Sequence, residues 1–510
     1  MTGSTRPFPP GSYPVVVIGS GPGGLQVSYA LRRLGIQHAV ISEDPAPGGM
    51  FRRWPHFQRL LSWTKPHAPV PRGTRAYERY DWNSLLADEP ASRALQPELM
   101  DGTSYFPSRP EMEQNLGLYT ERAGIEVRYG CAWTGTRRID DAEGGGFVVV
   151  TTDGEYRAQA LVVAVGVAQP YSPPGIGMEF THHYAEVRPA ETYAGHRVLM
   201  LGKQNSGFEL ANGLLPWACT IVLTSPSPAK FSVQTNSLAG VRARYVQPYE
   251  DFVLGGGVAV LNAALDRIER TEGGDGSLTV HLRRTDNGNE LAIEVDDVIS
   301  ATGFVTPLLD LPDIGCSISG RSRLPLLSSW WESTTLPGVF FAGTIGQAAK
   351  GLVKHGVPAN SGAVHGARYN ATVLARHMAE TRFGKRVDRP AVAPNDLVAT
   401  IAGELAEAPE LWHQRAYLAR VFTLDPTDGP VDDGIQPLTH FLDDGGSNAV
   451  AVTLEADGTG AIFPVLYTRI GGDIRERAMV ADPLLRYDGP DARREITAIV
   501  REAMPVASVD

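Results

Sequence analysis

Cysteine is scarce. The 510 residues hold 3 cysteines, Cys131, Cys219 and Cys316, spaced too widely for a CxxC redox pair or a zinc cluster. Dithiol chemistry is thereby excluded, and the three read as small buried hydrophobes in a reducing compartment. Positive charge is in deficit as well: 46 Lys+Arg stand against 57 Asp+Glu, a formal net charge of -11. No field then favours a phosphate backbone or an anionic membrane surface, and nucleic acid is not an expected partner. No run approaches the roughly 20 apolar residues of a spanning helix, and the opening Met1–Pro10 lacks an apolar signal core. A cytoplasmic chain with no membrane partner is therefore expected. No G-x-S-x-G elbow, Walker loop or metal-spaced His/Cys cluster occurs, so hydrolase, kinase and metalloenzyme readings have no residues to stand on.

What is present is globular: 43% hydrophobic and 20% charged residues, over a length that suggests two or three cores. Tyr13–Ile18 is a continuous apolar run, the pattern of a parallel strand buried on both faces. Leu25 to Leu34 carries apolar residues at helical spacing, Gly35 suits a helix stop, and His38–Ile41 reads as the next strand. This βαβ unit recurs downstream as Val198–Leu201, a helix from about Gly207, and Thr220–Leu223. Two further strands ending in glycine, Leu161–Gly166 and Val298–Gly303, bracket the second unit, so one nucleotide-binding domain is inserted in another. The expected fold is α/β with two Rossmann-like domains and a small α+β C-terminal module. The boundaries are a leader 1–12, a first domain at 13–166 resuming over 303–389, an inserted domain at 167–302, and a module at 390–510. The first domain closes with the strand Val339–Phe341, its Ala342-Gly343 end, and a helix over about 362–378. The module carries a helical stretch near Thr400 to Phe422 and a strand at Ala449–Leu454. It is either an interaction or lid module or padding for the core.

Gly19-Ser20-Gly21-Pro22-Gly23-Gly24 fits G-x-G-x-x-G between strand and helix, the context that gives the pattern meaning. Gly19 permits the tight turn, Gly21 lets a pyrophosphate approach the backbone, and Gly24 lets helix and strand pack closely. The helix N-terminus, with Gly23 in its first turn, faces the phosphate charge. Glu43, about 20 residues on, stands where a carboxylate accepts from a ribose diol.

Gly48-Gly49-Met50-Phe51 then resembles the GG-x-[WF] segment of flavin-containing, Baeyer-Villiger and amine N-hydroxylating monooxygenases, the class B flavoprotein monooxygenases. Phe106–Met112 and Tyr119–Tyr129 resemble the helix and strand that these families place before the flavin adenine. Gly202-Lys203-Gln204-Asn205-Ser206-Gly207-Phe208-Glu209-Leu210-Ala211 resembles their G-x-G-x-S-G-x-E-x-A, with Gln204 in place of the middle glycine. Asp296–Phe304, containing Thr302-Gly303, resembles their ATG-[YF] signature, and Gly338–Thr344, containing Gly343, resembles their late flavin motif. The fingerprint F-x-G-x-x-x-H-x-x-x-W is not intact, although Phe180–Tyr184 lies where its histidine would fall. A strict Baeyer-Villiger or animal-type assignment does not follow.

The resemblance implies FAD at the first site and a pyridine nucleotide at the second. NADPH is favoured and NADH is the alternative: Ser225 and Lys230 follow the closing strand, with no carboxylate to hold a 2′-hydroxyl. An ordinary surface loop is the competing reading of those two residues, and Gln204 stands to obstruct the pyrophosphate. The implied reaction passes one oxygen of O2 to a small organic substrate through a C4a-(hydro)peroxyflavin. The competing readings are an NAD(P)H oxidase or reductase without oxygen insertion, and a non-catalytic redox sensor. Catalytic candidates are Gln58 and Lys65, which loosely resemble the Gln and Lys of amine N-hydroxylases, and His355 as a general acid/base. Lys65 is equally a solvated loop lysine, and His355 a surface residue. Trp54, Phe57 and Trp63 are candidate walls of the site, and Arg242 and Arg244 candidate anion binders. A homo-oligomer is left open.

Overall fold

The computed structural model describes residues 6–53, 59–140, 142, 144–235, 240–273, 276–359, 361–425, 427 and 429–504. It divides into two compact units: Met1–Arg52 with Ser62–Val167 and Thr306–Asp510, and Arg53–Leu61 with Ala168–Val305.

The first unit opens with β1 (Gly11–Ile18), α1 (Pro22–Arg33) and β2 (His38–Ile41). Val15, Val16 and Val17 are fully buried, as an apolar run in a parallel sheet requires. α2 (Arg109–Arg122) starts on a capping box: Ser108 Oγ accepts from Glu111 N at 3.2 Å, and the Glu111 carboxylate accepts from Ser108 N at 2.5 Å. β3 (Trp133–Arg138), β4 (Phe147–Thr151) and β5 (Gly154–Val163) follow, in the sheet order β2-β1-β5-β4-β3. β5 pairs parallel with β1 and antiparallel with β4.

The second unit is built on β6 (His182–His183), β7 (Arg197–Leu201), α3 (Asn205–Leu214), β8 (Thr220–Ser225), α4 (Gln247–Leu254), β9 (Val258–Arg270), β10 (Leu278–Arg284), β11 (Glu290–Val295) and β12 (Asp297–Ser300). Its sheet runs β11-β10-β9-β8-β7-β12-β6, parallel from β9 to β6 and antiparallel at β10 and β11.

Past Val305 the chain returns to the first unit, where β13 (Val339–Phe341) pairs parallel with β5 and α5 (Ala363–Phe383) packs against α1. The C-terminal part groups with this unit rather than apart from it. It comprises α6 (Leu397–Glu407), α7 (Pro409–His413), β14 (Leu418–Asp425), β15 (Gly429–Pro437), β16 (Ala449–Ala456), β17 (Ile462–Ile470), β18 (Asp473–Ala478) and α8 (Pro490–Ala503). Its antiparallel sheet has the order β15-β14-β16-β17-β18. The helical expectation for 400–422 is corrected here. Helix gives way at Gln414, Ala416 turns at φ 55°, and Leu418–Phe422 is strand. Val421, Phe422 and Thr423 suit a pleated surface, and this strand is paired on both edges.

A buried ionic cluster ties α5 to α7. Arg368, 1% exposed, donates to Ser84 O at 2.6 Å, Glu78 O at 3.1 Å and Tyr369 Oη at 2.9 Å. Tyr369 donates to Glu78 Oε2 at 3.0 Å, and the His413 ring donates to Glu78 O at 2.9 Å. Burial pushes the Glu78 carboxyl up to about 7, against the pull of Arg368 and Arg93. Burial, helped by the charges of His365 and Arg368, holds His413 well below its ordinary range.

Removing one partner of a buried charged network leaves the other uncompensated, so Arg368→Leu is expected to destabilise the fold by about 3–5 kcal/mol, read from the urea midpoint. His413 stays neutral when folded, so the unfolded chain takes up a proton near pH 6.5 that the folded chain refuses. Stability from this group is present above about pH 6.5 and is lost as pH falls below it. His413→Phe is expected to lose that part of the acid sensitivity in urea midpoints compared at about pH 5 and 7.

Candidate functional site

In the first unit β1 ends at Ile18, and Gly19 turns at φ +114°, where a Cβ would lie 2.6 Å from Ala164 O. A Cβ on Gly24 would lie 2.0 Å from Gly19 O, and one on Gly23 2.4 Å from the Cα and N of Gly343. Gly49, at φ +53°, would place a Cβ 3.0 Å from Gly21 Cα. These glycines are demanded by the protein's own backbone. Gly21 differs, because the nearest atom to its Cβ position is Gly49 Cα at 3.9 Å. The room it leaves lies at the N-cap of α1, which has no side-chain cap. Ser20 Oγ bonds Ser42 Oγ at 2.8 Å, holding the loop to the end of β2, and Gly48 N donates to Ser20 O at 3.1 Å. Glu43 lies exposed two residues past β2, and Met50 and Phe51 are half-buried on the turn Gly49–Arg52. A dinucleotide diphosphate fits this cradle: first-turn amides unclaimed by a side-chain cap, no Cβ in the way, and a carboxylate at the strand end.

The second unit repeats the construction. Gly202 turns at φ +115°, and its Cβ would lie 2.4 Å from Ala301 O, while a Cβ on Gly207 would lie 2.1 Å from Gly202 O. Gln204, the N-cap of α3, is extended at φ -110° and ψ -159°, a conformation open to any residue, and its side chain is exposed. Ser206 is half-buried in the first turn of α3. Asn205 draws in a further segment: its Nδ2 donates to Gly240 O and its Oδ1 accepts from Arg242 N, both at 3.0 Å. Arg242 thereby stands beside the start of α3. Ser225 Oγ donates to Ser227 O at 3.1 Å, and Lys230 is exposed.

At the end of β12, Thr302 Oγ1 lies 2.8 Å from Ser300 Oγ and also donates to Tyr171 O. Gly303, at φ +93°, has nothing within 4 Å of its Cβ position. Its carbonyl accepts from the His183 ring and from Tyr171 N, both at 3.0 Å. Burial lowers the His183 pKa, so this histidine acts as a neutral brace. Glu209 of α3 is buried and accepts from Tyr184 Oη at 2.8 Å. Burial pushes its carboxyl up to about 7, opposed by Tyr184, Tyr245 and Arg244.

The structure thus brings together Gly19, Gly21, Gly23, Gly24, Gly49 and Gly343 in one place, and Gly202, Gln204, Ser206 and Gly207 in another. Gln58, with Trp54 and Phe57, lies outside the described residues. Lys65 is exposed, its Nζ 4.9 Å from the Trp63 ring centroid. His355 is exposed. It follows the strand Val353–Lys354 of a hairpin, with its ring nitrogen 3.6 Å from Glu455 Oε2 on β16. Lys354 beside it is bound to Glu455, Glu476 and Tyr467. Both side chains face the C-terminal sheet. Sequence reasoning passed over Lys203, which is 0% exposed; a lysine in a loop carries no sequence signal of burial.

The sequence profile of the pyridine nucleotide-disulphide oxidoreductase family matches residues 16–343. The chain belongs to this family. Among curated relatives, the mouse FAD-dependent oxidoreductase domain-containing protein 2 is 26% identical over 435 residues, covering 80% of this chain and 64% of its own length. The chain therefore spans less than two thirds of that relative. Among solved structures, bacillithiol disulfide reductase from Bacillus cereus superposes with a TM-score of 0.56 at 18% identity, over 72% of this chain and 99% of that one. The flavin-containing monooxygenase from Stenotrophomonas maltophilia gives 0.53 at 21% identity, over 72% and 98%. The two-domain fold is common to both, in accord with the resemblance to flavin monooxygenases. A fold shared by a reductase and a monooxygenase does not choose the reaction of this chain. No helix among the described residues is long and apolar enough to cross a membrane.

The two kinds of glycine predict different outcomes. Gly21→Ala is expected to change the stability of flavin-free protein by no more than about 1 kcal/mol while abolishing retention of FAD. Gly23→Ala is expected to lose FAD and lower the melting temperature of the flavin-free protein as well. Flavin content and thermal melting distinguish them.

Proposed function

We propose that this member of the family is an NAD(P)H-consuming monooxygenase, which places one oxygen atom of O2 in a small organic substrate by N-hydroxylation or a related oxygenation. The observation that carries the reading is the flavin cradle of a disulphide oxidoreductase in a chain whose 3 cysteines are free and far apart in sequence. Cys131 and Cys316 are buried in the apolar core of the first unit, so electrons have no dithiol to go to. The balance is NAD(P)H, a proton, O2 and substrate giving NAD(P)+, oxygenated substrate and water. When bound, FAD supplies the capacity to accept hydride and to deliver electron pairs to O2. Gly21, Gly23, Gly24, Gly49 and Gly343 shape the seat of its diphosphate, and Glu43 holds its ribose. Gly202, Ser206 and Gly207 receive the pyridine nucleotide's diphosphate, with Ser225, Lys230 and Arg242 as the candidates for the 2′-phosphate of NADPH.

Gln204 supports a second reading, an oxidase or reductase whose nucleotide binds loosely. Anaerobic addition of NADPH is expected to bleach the flavin's long-wavelength band, and oxygen with a substrate amine panel is expected to give oxygenated product. Bleaching followed by stoichiometric hydrogen peroxide and no product, with every substrate tried, would sink the monooxygenase reading in favour of the oxidase. A flavin that neither NADPH nor NADH reduces would end the two-cofactor scheme. Gln204→Gly is expected to tighten NADPH binding, since backbone geometry does not need the glutamine and its removal clears the diphosphate's approach.

A further inference from the structure

Lys203 lies between Gly202 and Gln204 in the glycine loop, yet its side chain turns away from solvent and is 0% exposed. Its Nζ donates to Leu261 O and Asn262 Oδ1 on β9, crossing the end of β8 to reach them, since β8 lies between β7 and β9. Both acceptors are neutral. A buried ammonium with three donors ordinarily takes a carboxylate partner, because withdrawing the charge from water is costly. Here two neutral oxygens are its partners among the described residues.

We propose that Lys203 is a positioning residue of the pyridine-nucleotide site, clamping the glycine loop to β9 and setting a fixed positive charge beneath the seat of the dinucleotide's phosphates. The proposal rests on reading the second unit as that site. It also gives Gln204 a context: where the loop has lost the glycine that lets backbone amides approach the diphosphate, a cation under the same loop supplies attraction that needs no close approach. A charge in this position acts on the diphosphate that NADH and NADPH share. It therefore strengthens both, whereas Ser225 and Lys230, past the end of β8, bear on the 2′-phosphate.

Burial lowers the Lys203 amine to about 8, with no charged neighbour contributing. The residues adjoining it are Gln204 and Asn205 at the start of α3, Thr224 on β8, and Leu261 and Asn262 on β9, none of them ionisable. The charged groups on neighbouring segments include Glu209 farther along α3, whose carboxyl titrates at about 7 with Arg244 near it, Arg242, held through Asn205, and the Arg284–Asp286 pair, on the turn whose Thr285 N donates to Asn262 O.

The test is direct binding of NADPH and NADH to the FAD-loaded full chain, wild type and Lys203→Met, by calorimetry across about pH 7 to 9.5. Loss of the charge is expected to weaken both nucleotides about tenfold at neutral pH. Wild-type affinity is expected to fall as pH rises through about 8, while the variant's stays level. The variant's melting temperature is expected to fall only slightly, since relief of the buried charge offsets most of the two lost hydrogen bonds. Equal affinity in wild type and variant would overturn the proposal, as would weaker binding with a flat wild-type pH profile and a markedly lowered melting temperature, the mark of a purely structural residue. Should the variant not fold, the wild-type pH series decides alone. A wild type that binds neither nucleotide defeats the reading of the second unit, and this inference with it.

Discussion

Everything at the nucleotide sites depends on backbone passing backbone at distances that a β-carbon forbids. Gly23 meets Gly343 across more than 300 residues of sequence, and Gly19 meets Ala164 where two parallel strands end. These contacts draw the late strand β13 and the opening loop to one point. The space that remains beside Gly21 is therefore a product of the fold rather than of any one motif. Because the contacts of Gly19 with Ala164 and of Gly24 with Gly19 recur at Gly202 with Ala301 and at Gly207 with Gly202, each unit holds a loop of like shape, reached by the same steric means.

Within that shared frame the two loops differ in electrical character. The first presents a serine, Ser20, whose hydroxyl ties it to Ser42, and leaves the anion to the helix amides. The second replaces serine by Lys203 and the middle glycine by Gln204, so a compact neutral turn becomes a bulkier one with a buried cation beneath it. Close approach and long-range attraction are alternative ways of holding a diphosphate, and they fall off differently with distance.

The C-terminal part is bound to the first unit by charge as much as by apolar packing. Arg75 reaches Glu404 at 2.7 Å and Glu410 at 2.8 Å, and Arg368 with Glu78 and His413 forms the buried cluster between α5 and α7. Buried ions are poor sources of net stability, but removing one partner leaves the other buried without compensation. The return hairpin of Lys354 and His355 belongs to the same pattern, the Lys354 ammonium answered by Glu455 on β16.

The sequence determined what depends on neighbours along the chain. Continuous apolar runs marked β1, β2, β7, β8 and β13 to within a few residues, and Gly19 and Gly202 marked the ends of β1 and β7, because a strand buried on both faces and a turn needing positive φ each leave a local mark. The repeated glycine spacing made two nucleotide loops legible for the same reason. Where local signals were balanced the reading failed, as at Leu418–Phe422, whose second partner, β16, lies beyond β15 in the chain. Only tertiary structure decided which side chains are withdrawn from water and what they meet: that His355 faces a carboxylate on β16, that Arg242 stands beside α3, that Lys203 is sealed among neutral acceptors. Burial and charge pairing are properties of segments brought together from far apart in the chain, and no short window of sequence contains both partners.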